Sequence, residues 1–300
     1  MITFAIPCYK SNIDYLRVAL QSVVVQTSNQ WALHLVDGNT QPDQRLIDLV
    51  DEFKTQYKQN KIQYLYNVKD RSMAGNWNYA IETATSDLVV LLHDDDKLDS
   101  NYVAQMLTLS EQYKKSAAFF CGVDLIDENN RKKVSFADKI KSYIEPKGPI
   151  VLLQKDPGLS ALLKGCFIFC PSVCYRKSML PKGGFSATWK MVTDLDMYSR
   201  ILQNGKAIVG TKDVLFHYRR HNENQTAKLT NNFIRFDEEC AFYNELHIQL
   251  NPSKWPLSRK ETKKKRIIKL HLLFLALLNF VKFRFKKSFS HFCYLIKNVE

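Results

Sequence analysis

The sequence predicts an α/β protein on a doubly wound, mostly parallel central sheet with helices on both faces, plus a C-terminal helical extension. Three observations predict this. Apolar runs at 3–7, 31–36, 62–66 and 87–92 alternate with stretches whose apolar residues recur at helical spacing, the β-α-β-α-β-α-β order of a parallel sheet. The fourth run, Leu88 to Leu92, is five consecutive aliphatic residues, as a strand buried on both faces requires. Polar clusters at Pro7–Tyr9, Asp37–Thr40 and Asp94–Asp96 directly follow apolar runs, at the strand ends where such sheets hold their ligands.

Taken in order, the first strand ends at Pro7-Cys8-Tyr9-Lys10, and Leu16, Ala19, Leu20, Val23 and Val24 give the first helix its stripe. The second strand breaks at Asp37-Gly38-Asn39-Thr40, a strong turn signal. Leu46, Ile47, Leu49, Val50 and Phe53 make the second helix, and a helix over 76–84 leads into the Asp87 strand. Beyond a helix at 102–113, a strand is expected over 117–123, then a turn at Asp127-Glu128-Asn129-Asn130 with a hairpin return at 133–136. Residues 137–158 are polar and marked by Pro and Gly, and read as a surface loop. Cys166, Cys170 and Cys174 recur every fourth residue in 165–175; on a strand they face one way, as buried thiols rather than the closely spaced loop pairs of zinc sites. Thr193 opens a helix, 214–221 is a strand running into a basic turn, and 231–250 is helical before the boundary at Pro252 and Pro256.

Composition narrows the function. With 300 residues, 45% hydrophobic and 24% charged, the chain is an ordinary globular protein with room for a large core. Its net charge of +13 is unevenly placed. Residues 254–300 hold 13 Lys or Arg against Glu261 and Glu300, whereas 1–253 hold 30 basic and 28 acidic residues. A near-neutral body speaks against nucleic acid as a partner. Neither a Gly-x-Gly-x-x-Gly fingerprint nor a Gly-Lys-Ser/Thr phosphate loop occurs, which disfavours dinucleotide oxidoreductases and P-loop kinases. Ile2–Pro7 reads as a strand, so no cleaved export leader is expected. Seven scattered cysteines suit reduced thiols in the cytoplasm.

Asp94, Asp95 and Asp96 repel one another, and nothing in a packed core calls for them. Alone they read as a solvated acidic turn; at the end of a buried strand they suit a hard divalent cation. The runs Ala5-Ile-Pro-Cys-Tyr-Lys10, Leu20-Gln-Ser-Val-Val-Val-Gln-Thr27, Leu35-Val-Asp-Gly-Asn-Thr40, Asn76-Trp-Asn-Tyr-Ala80 and Leu91-Leu-His-Asp-Asp-Asp96, in this order, resemble family 2 glycosyltransferases of the GT-A fold, in their bacterial surface-polysaccharide type. The resemblance covers about residues 1–225 and implies a nucleotide-sugar donor, expected to be a UDP-sugar, with a glycan or lipid-linked acceptor. It implies a catalytic domain over 1–253, with donor residues in 1–125 and acceptor residues in 126–253. Pro7, Tyr9, Asp37, Arg71, Asn76, Asp94, Asp95, Arg219 and Arg220 are the expected donor-binding residues, Asp37 beside the nucleoside base. Asp94, Asp95, Asp96 and His221 are the expected ligands of Mn²⁺ or Mg²⁺ bridging the diphosphate. Two departures stand out: Val36 precedes Asp37 where members often carry a second Asp, and His93 occupies the first acidic position of the family's Asp-x-Asp element.

An acceptor hydroxyl is a poor nucleophile until a base takes its proton. The segment Thr193-Asp-Leu-Asp196 resembles the family's acidic Glu-Asp element, with Thr193 in place of Glu. Asp194 is therefore the candidate base of an inverting transfer, and Asp196 is expected to pack or orient. Its other reading is an anion in a helix's first turn, favoured by the helix dipole. His217 reads as structural, while Arg219 and Arg220 are placed to offset pyrophosphate charge. The tail, 254–300, pairs the basic stretch 259–269 with the apolar 270–281. At 1.5 Å per residue, 267–281 spans roughly 22 Å, short of the ~30 Å hydrocarbon core. It is expected to rest on the anionic inner face of the plasma membrane, each Lys or Arg contributing about 1 kcal/mol, the alternative being a hairpin that docks on the body or forms a homodimer. Rival functions are a sugar-phosphate nucleotidyltransferase and a non-catalytic membrane-bound scaffold.

Overall fold

A computed structural model describes residues 1–58, 61–133, 145–221, 229–230 and 233–299. The first four strands are β1 (Ile2–Cys8), β2 (Trp31–Asp37), β3 (Ile62–Tyr66) and β4 (Leu88–Leu91), with helices α1 (Ile13–Val24), α2 (Gln44–Tyr57) and α3 (Met73–Glu82) between them. All pair in parallel in the order β3-β2-β1-β4. Their register brings Cys8, Asp37 and Tyr66 level, and the Leu92 N–H continues the ladder to the Ala5 carbonyl over 3.1 Å. The loops after β1 to β4 therefore open on one edge.

The second half continues the sheet. β5 (Lys97–Leu98), α4 (Tyr102–Gln112), β6 (Ser116–Ile126), β7 (Lys132–Lys133), β8 (Ile150–Leu153), α5 (Lys155–Lys164), β9 (Cys174–Arg176), α6 (Thr193–Gln203) and β10 (Ala207–Arg219) follow in sequence. The strand order is β3-β2-β1-β4-β9-β6-β10-β5. The short β9 lies antiparallel between β4 and β6, β6 and β10 run parallel, and β7 and β8 pair antiparallel with β6 and β10. Alternation along β1 sends Ile2, Phe4, Ile6 and Cys8 to one core with Leu16, Leu46 and Tyr102, whereas Ala5 faces the other with Ala80, Leu159 and Tyr198. Helices α1, α2 and α4 thus cover one face and α3, α5 and α6 the other, as the doubly wound reading requires.

Some expectations are corrected. The surface loop at 137–158 contains β8 and the start of α5. Val151 and Leu153 are buried while Ile150 and Leu152 are exposed, an alternation too short to stand out; 134–144 lie outside the described residues. The hairpin return is seen at Lys132–Lys133, and its remainder, 134–136, falls in the same gap. The strand over 165–175 is only Cys174–Arg176, because Pro171 sits in a 3-10 turn at Cys170–Ser172, where it has no N–H for a ladder. The three cysteines consequently do not share a face: Cys174 is buried, whereas Cys166 and Cys170 are half-buried. All seven thiols are free.

The C-terminal part is helical: α7 (Ile234–Gln249), α8 (Pro256–Lys264), α9 (Arg266–Val281) and α10 (Phe285–Asn298). Asp156 on α5 accepts from the Leu257 and Ser258 N–H groups at 2.8 Å each, satisfying two of the donors that a helix N-terminus leaves open. The segment from 254 is therefore fastened to the body from its first turn. Helices α9 and α10 form a hairpin against α7. Among the described residues no helix is long and apolar enough to cross a membrane.

Candidate active site

The loop after β2 is built on Asp37. Its carboxylate is fully buried; one oxygen accepts from the Asn39 main-chain and side-chain N–H groups, the other from the Asp43 N–H and the Tyr64 hydroxyl, all at 2.8 Å. These bonds make Asp37 the residue that shapes the loop. The Gly38 N–H donates to the Cys8 carbonyl over 2.9 Å and the Lys10 N–H to Asn39 Oδ1 over 3.1 Å, joining this loop to Pro7–Tyr9, whose tyrosine is exposed. At the end of β3, exposed Arg71 lies over the Tyr66 ring and donates to its hydroxyl over 2.9 Å. Arg71 and Tyr9 are thus exposed at these strand ends, with half-buried Tyr66 beneath Arg71.

Three successive residues of α3 serve three parts of the site. Asn76 is buried and donates to the Val36 carbonyl over 3.2 Å; a Cβ on Gly38 would stand 2.9 Å from its Nδ2. Trp77 places its ring 5.8 Å from His93 and 5.1 Å from Phe185. Asn78 exchanges two bonds with the Phe185 main chain, at 2.9 and 2.7 Å. Gly184 has φ +62° with Asn78 Oδ1 only 2.2 Å from where its Cβ would be, so the loop closes on α3 only with glycine there. The sequence motif was visible, but of its members only Asn76 was legible as a candidate; Trp77, Asn78 and Phe185 carried no chemical signal of their own.

Past β4 the acidic turn closes on itself. His93, Asp95 and Asp96 each offer a ligand atom, all within 4.8 Å of one another. Asp96 is fully buried; its Oδ1 accepts from the Arg219 N–H over 2.8 Å, while among the described residues its Oδ2 and His93 Nε2 are buried without a hydrogen-bond partner. Burial, then the Asp95 charge, pushes the Asp96 carboxyl well above the usual carboxylate range. Burial also lowers His93, keeping its imidazole neutral, the form that binds metals. Burial pushes Asp94 up to about 6. His221 Nε2 lies 2.9 Å from Asp95 Oδ2, and its ring packs 5.6 Å from Tyr15. A neutral imidazole, two carboxylates and two orphaned buried atoms fit a divalent cation. Of the four expected ligands, Asp95 and Asp96 stand in this cluster, His221 touches it through Asp95, and Asp94 is beside it; His93 joins them.

Arg219 lies inside the fold, at the end of β10. Its side chain is fully buried, donating to the Asp95 carbonyl at 2.7 Å, the Asp127 carbonyl at 2.8 Å and Asn130 Oδ1 at 2.6 Å. The guanidinium braces the acidic turn through the Asp95 carbonyl and ties it to the Asp127–Asn130 turn. Arg220 is half-buried, its N–H bonded to the Ile126 carbonyl over 2.9 Å.

Asp194 stands half-buried in the first turn of α6. Burial first, and the Asp194 charge second, push the Cys170 thiol up, and the 3-10 turn of Cys170 packs on β4. Asp196 is bonded to Arg200, which also donates to the Gly184 carbonyl over 2.7 Å, in keeping with an orienting part.

The curated relatives include uncharacterized glycosyltransferases of Rickettsia typhi and Rickettsia prowazekii, each 24% identical over 79% of this chain and 69% and 70% of their own lengths. Among solved structures, S. aureus TarS 1-349 in complex with UDP-GlcNAc superposes with a TM-score of 0.61 at 15% identity, covering 88% of this chain and 70% of that one. The mannosyltransferase PcManGT from Pyrobaculum calidifontis, solved with GDP-Man and Mn²⁺, gives 0.63 at 12% identity over 100% of this chain and 76% of its own. These likenesses agree with the α/β, GT-A arrangement of the sheet. Residues 3–174 match the pattern of glycosyl transferase family 2, more than half of the chain, and the protein belongs to that family.

Proposed function

We propose that this glycosyltransferase moves a sugar, with inversion, from a nucleotide-sugar donor, a UDP-sugar, to a glycan or lipid-linked acceptor of surface polysaccharide. The observation that carries the reading is the cluster of His93, Asp95 and Asp96, whose ligand atoms lie within 4.8 Å at the end of β4 and leave two buried polar atoms unsatisfied. Both solved relatives named above hold nucleotide sugars, which supports that donor class.

The parts divide as follows. Arg71, Tyr66 and Tyr9 offer surfaces for the nucleoside, with Asp37 and Asn76 holding the loop beneath. His93, Asp95 and Asp96 would hold Mn²⁺ or Mg²⁺, with His221 bonded to Asp95 and Asp94 beside them; such a cation supplies positive charge for a leaving diphosphate. Half-buried Arg220, next to Arg219, is the basic side chain we assign to the leaving diphosphate. Asp194 takes the acceptor hydroxyl's proton, and Trp77 and Phe185 wall the space between the cluster and α6. Calorimetry with UDP and with GDP, each with and without Mn²⁺, tests the reading. We expect heat of binding that needs the metal; a chain that binds neither nucleotide with Mn²⁺ present overturns it in favour of the scaffold.

A further inference from the structure

The α9–α10 hairpin turns one side to α7 and leaves the other bare. Ile268, Leu272 and Ala276 are buried, Phe236 meets His271 edge-on at 5.2 Å, and Tyr294 stacks on Phe233 at 4.8 Å while donating to Asp237. The far side of α9 carries Leu270, Leu273, Leu277 and Phe280, spaced 3, 4 and 3 residues apart and 38–65% exposed. On α10, Phe285, Phe289, Phe292 and Ile296 are spaced 4, 3 and 4 apart and 48–69% exposed. Each set is one helical stripe. Rings of Phe280 and Phe283 both meet Phe285, at 5.5 and 6.1 Å, so the stripes join at the hairpin's tip. Isolated exposed apolar residues are ordinary, but a continuous aromatic and aliphatic face marks an interaction surface.

Charge identifies what covers it. Between Arg266 and Val299 there are seven Lys or Arg and no Asp or Glu, and Lys282, Arg284, Lys286 and Lys287 are exposed around the tip. Apposing two such tips in a dimer sets like charges against each other, whereas an anionic surface answers them. The 16 residues of α9 reach about 24 Å, too short to cross the ~30 Å hydrocarbon core. We infer that this face seats shallowly in an anionic phospholipid leaflet, with the aromatic tip at the acyl boundary and the cations among the headgroups. Helix α7 links that seat to the site. Beside Asp237, which holds Tyr294, Glu238 accepts from the Lys190 and Met191 N–H groups at 2.8 and 2.7 Å, just ahead of Asp194. A leaflet-borne acceptor would thus be delivered to the Asp194 side; that clause rests on the proposed transfer, and leaflet binding itself does not.

Flotation of the full chain with phosphatidylcholine vesicles, and with phosphatidylcholine–phosphatidylglycerol vesicles, tests this. The chain should float with the mixed vesicles and stay behind with the neutral ones. The triple change Phe283→Ser, Phe285→Ser, Phe289→Ser should lower the bound fraction at least roughly tenfold, as should Lys282→Glu, Arg284→Glu, Lys286→Glu, Lys287→Glu made together. These side chains are exposed, so circular dichroism should be unchanged. Asp194→Asn should float like the wild type, which separates this inference from the transfer chemistry. Absence of flotation, a serine variant that floats as well as the wild type, or a dimer in sedimentation velocity that the serine variant dissolves without any vesicle binding, each overturns it.

Discussion

Arg219 and Asp96 are joined main chain to side chain: the Arg219 N–H donates to Asp96 Oδ1 over 2.8 Å. The last residue of β10 thereby fixes one oxygen of a buried carboxylate and leaves the other facing His93, whose Nδ1 is 3.9 Å away. The pairing joins residues 123 positions apart, and Arg219 orders the acidic cluster from outside it.

Replacing Arg219 should therefore cost stability before it costs chemistry. Arg219→Met leaves the Asp95 and Asp127 carbonyls without their buried donor, a loss of roughly 3 kcal/mol. Arg219→Lys should recover little of it, because an ammonium lacks the planar fork that reaches several acceptors at once. Urea denaturation midpoints measure both.

Asp194→Asn should lower kcat by about 10²–10⁴ with the affinity for the donor nucleotide unchanged. Asparagine fills the same volume and still accepts a hydrogen bond in the first turn of α6, so helix stability should change little. Turnover with a nucleotide-sugar panel beside calorimetry on the same variant gives the split; near wild-type turnover would remove Asp194 from the mechanism.

For the acidic cluster, Asp96→Asn is the informative change. It keeps an oxygen for the Arg219 N–H while removing the charge, so fold and binding separate. Mn²⁺-dependent UDP binding should weaken at least about tenfold for Asp96→Asn and for His93→Ala, with unfolding midpoints near wild type. Equal affinity for His93→Ala would restrict the ligand set to the carboxylates.

Acid stability should carry the mark of His34. This residue of β2 is 1% exposed, with neither ring nitrogen hydrogen-bonded among the described residues, and burial lowers its pKa below the usual histidine value. Below about pH 6.5 the unfolded chain binds a proton that folded His34 refuses. Stability is then full above that pH and falls as pH drops toward the lowered value, by up to about 1.4 kcal/mol per unit for one proton. Burial lowers His93 and His217 as well, so the comparison is with His34→Leu, which should flatten part of the slope between pH 6.5 and 5. An unchanged slope would exclude His34 as a contributor.

The parallel half of the fold was readable because its strands are largely apolar runs and its helices carry complete stripes, as in Leu46, Leu49, Val50 and Phe53. The position of Asp94–Asp96 followed from the strand before it. What escaped was either too short to show a period, as in Lys97–Leu98 and Ile150–Leu153, or decided by distant partners. Arg219 reads as a cation for the pyrophosphate, and its bonds to the Asp127 carbonyl and Asn130 depend on partners about 90 residues away. That Asp37 gathers Tyr64 and Asp43 around its oxygens is likewise settled by residues beyond its own strand. His93 was noticed as a departure from the family pattern, yet its membership of the cluster needed the turn that brings Asp96 back beside it. The hairpin's two sides differ only in which stripe finds α7, and local sequence does not encode that.

The three-residue strand β9 has a consequence for how the protein is made. It alone lies between β4 and β6, and it leaves the ribosome about 80 residues after β4. At synthesis rates of ~5–20 residues per second, the flank of Leu88–Leu91 stays open for roughly 4–16 s. During that interval a fully apolar strand edge is free to capture another nascent chain. The most hazardous moment for this enzyme is thus set by the delay before Cys174–Arg176 emerges, and slow codons between the two segments would lengthen it.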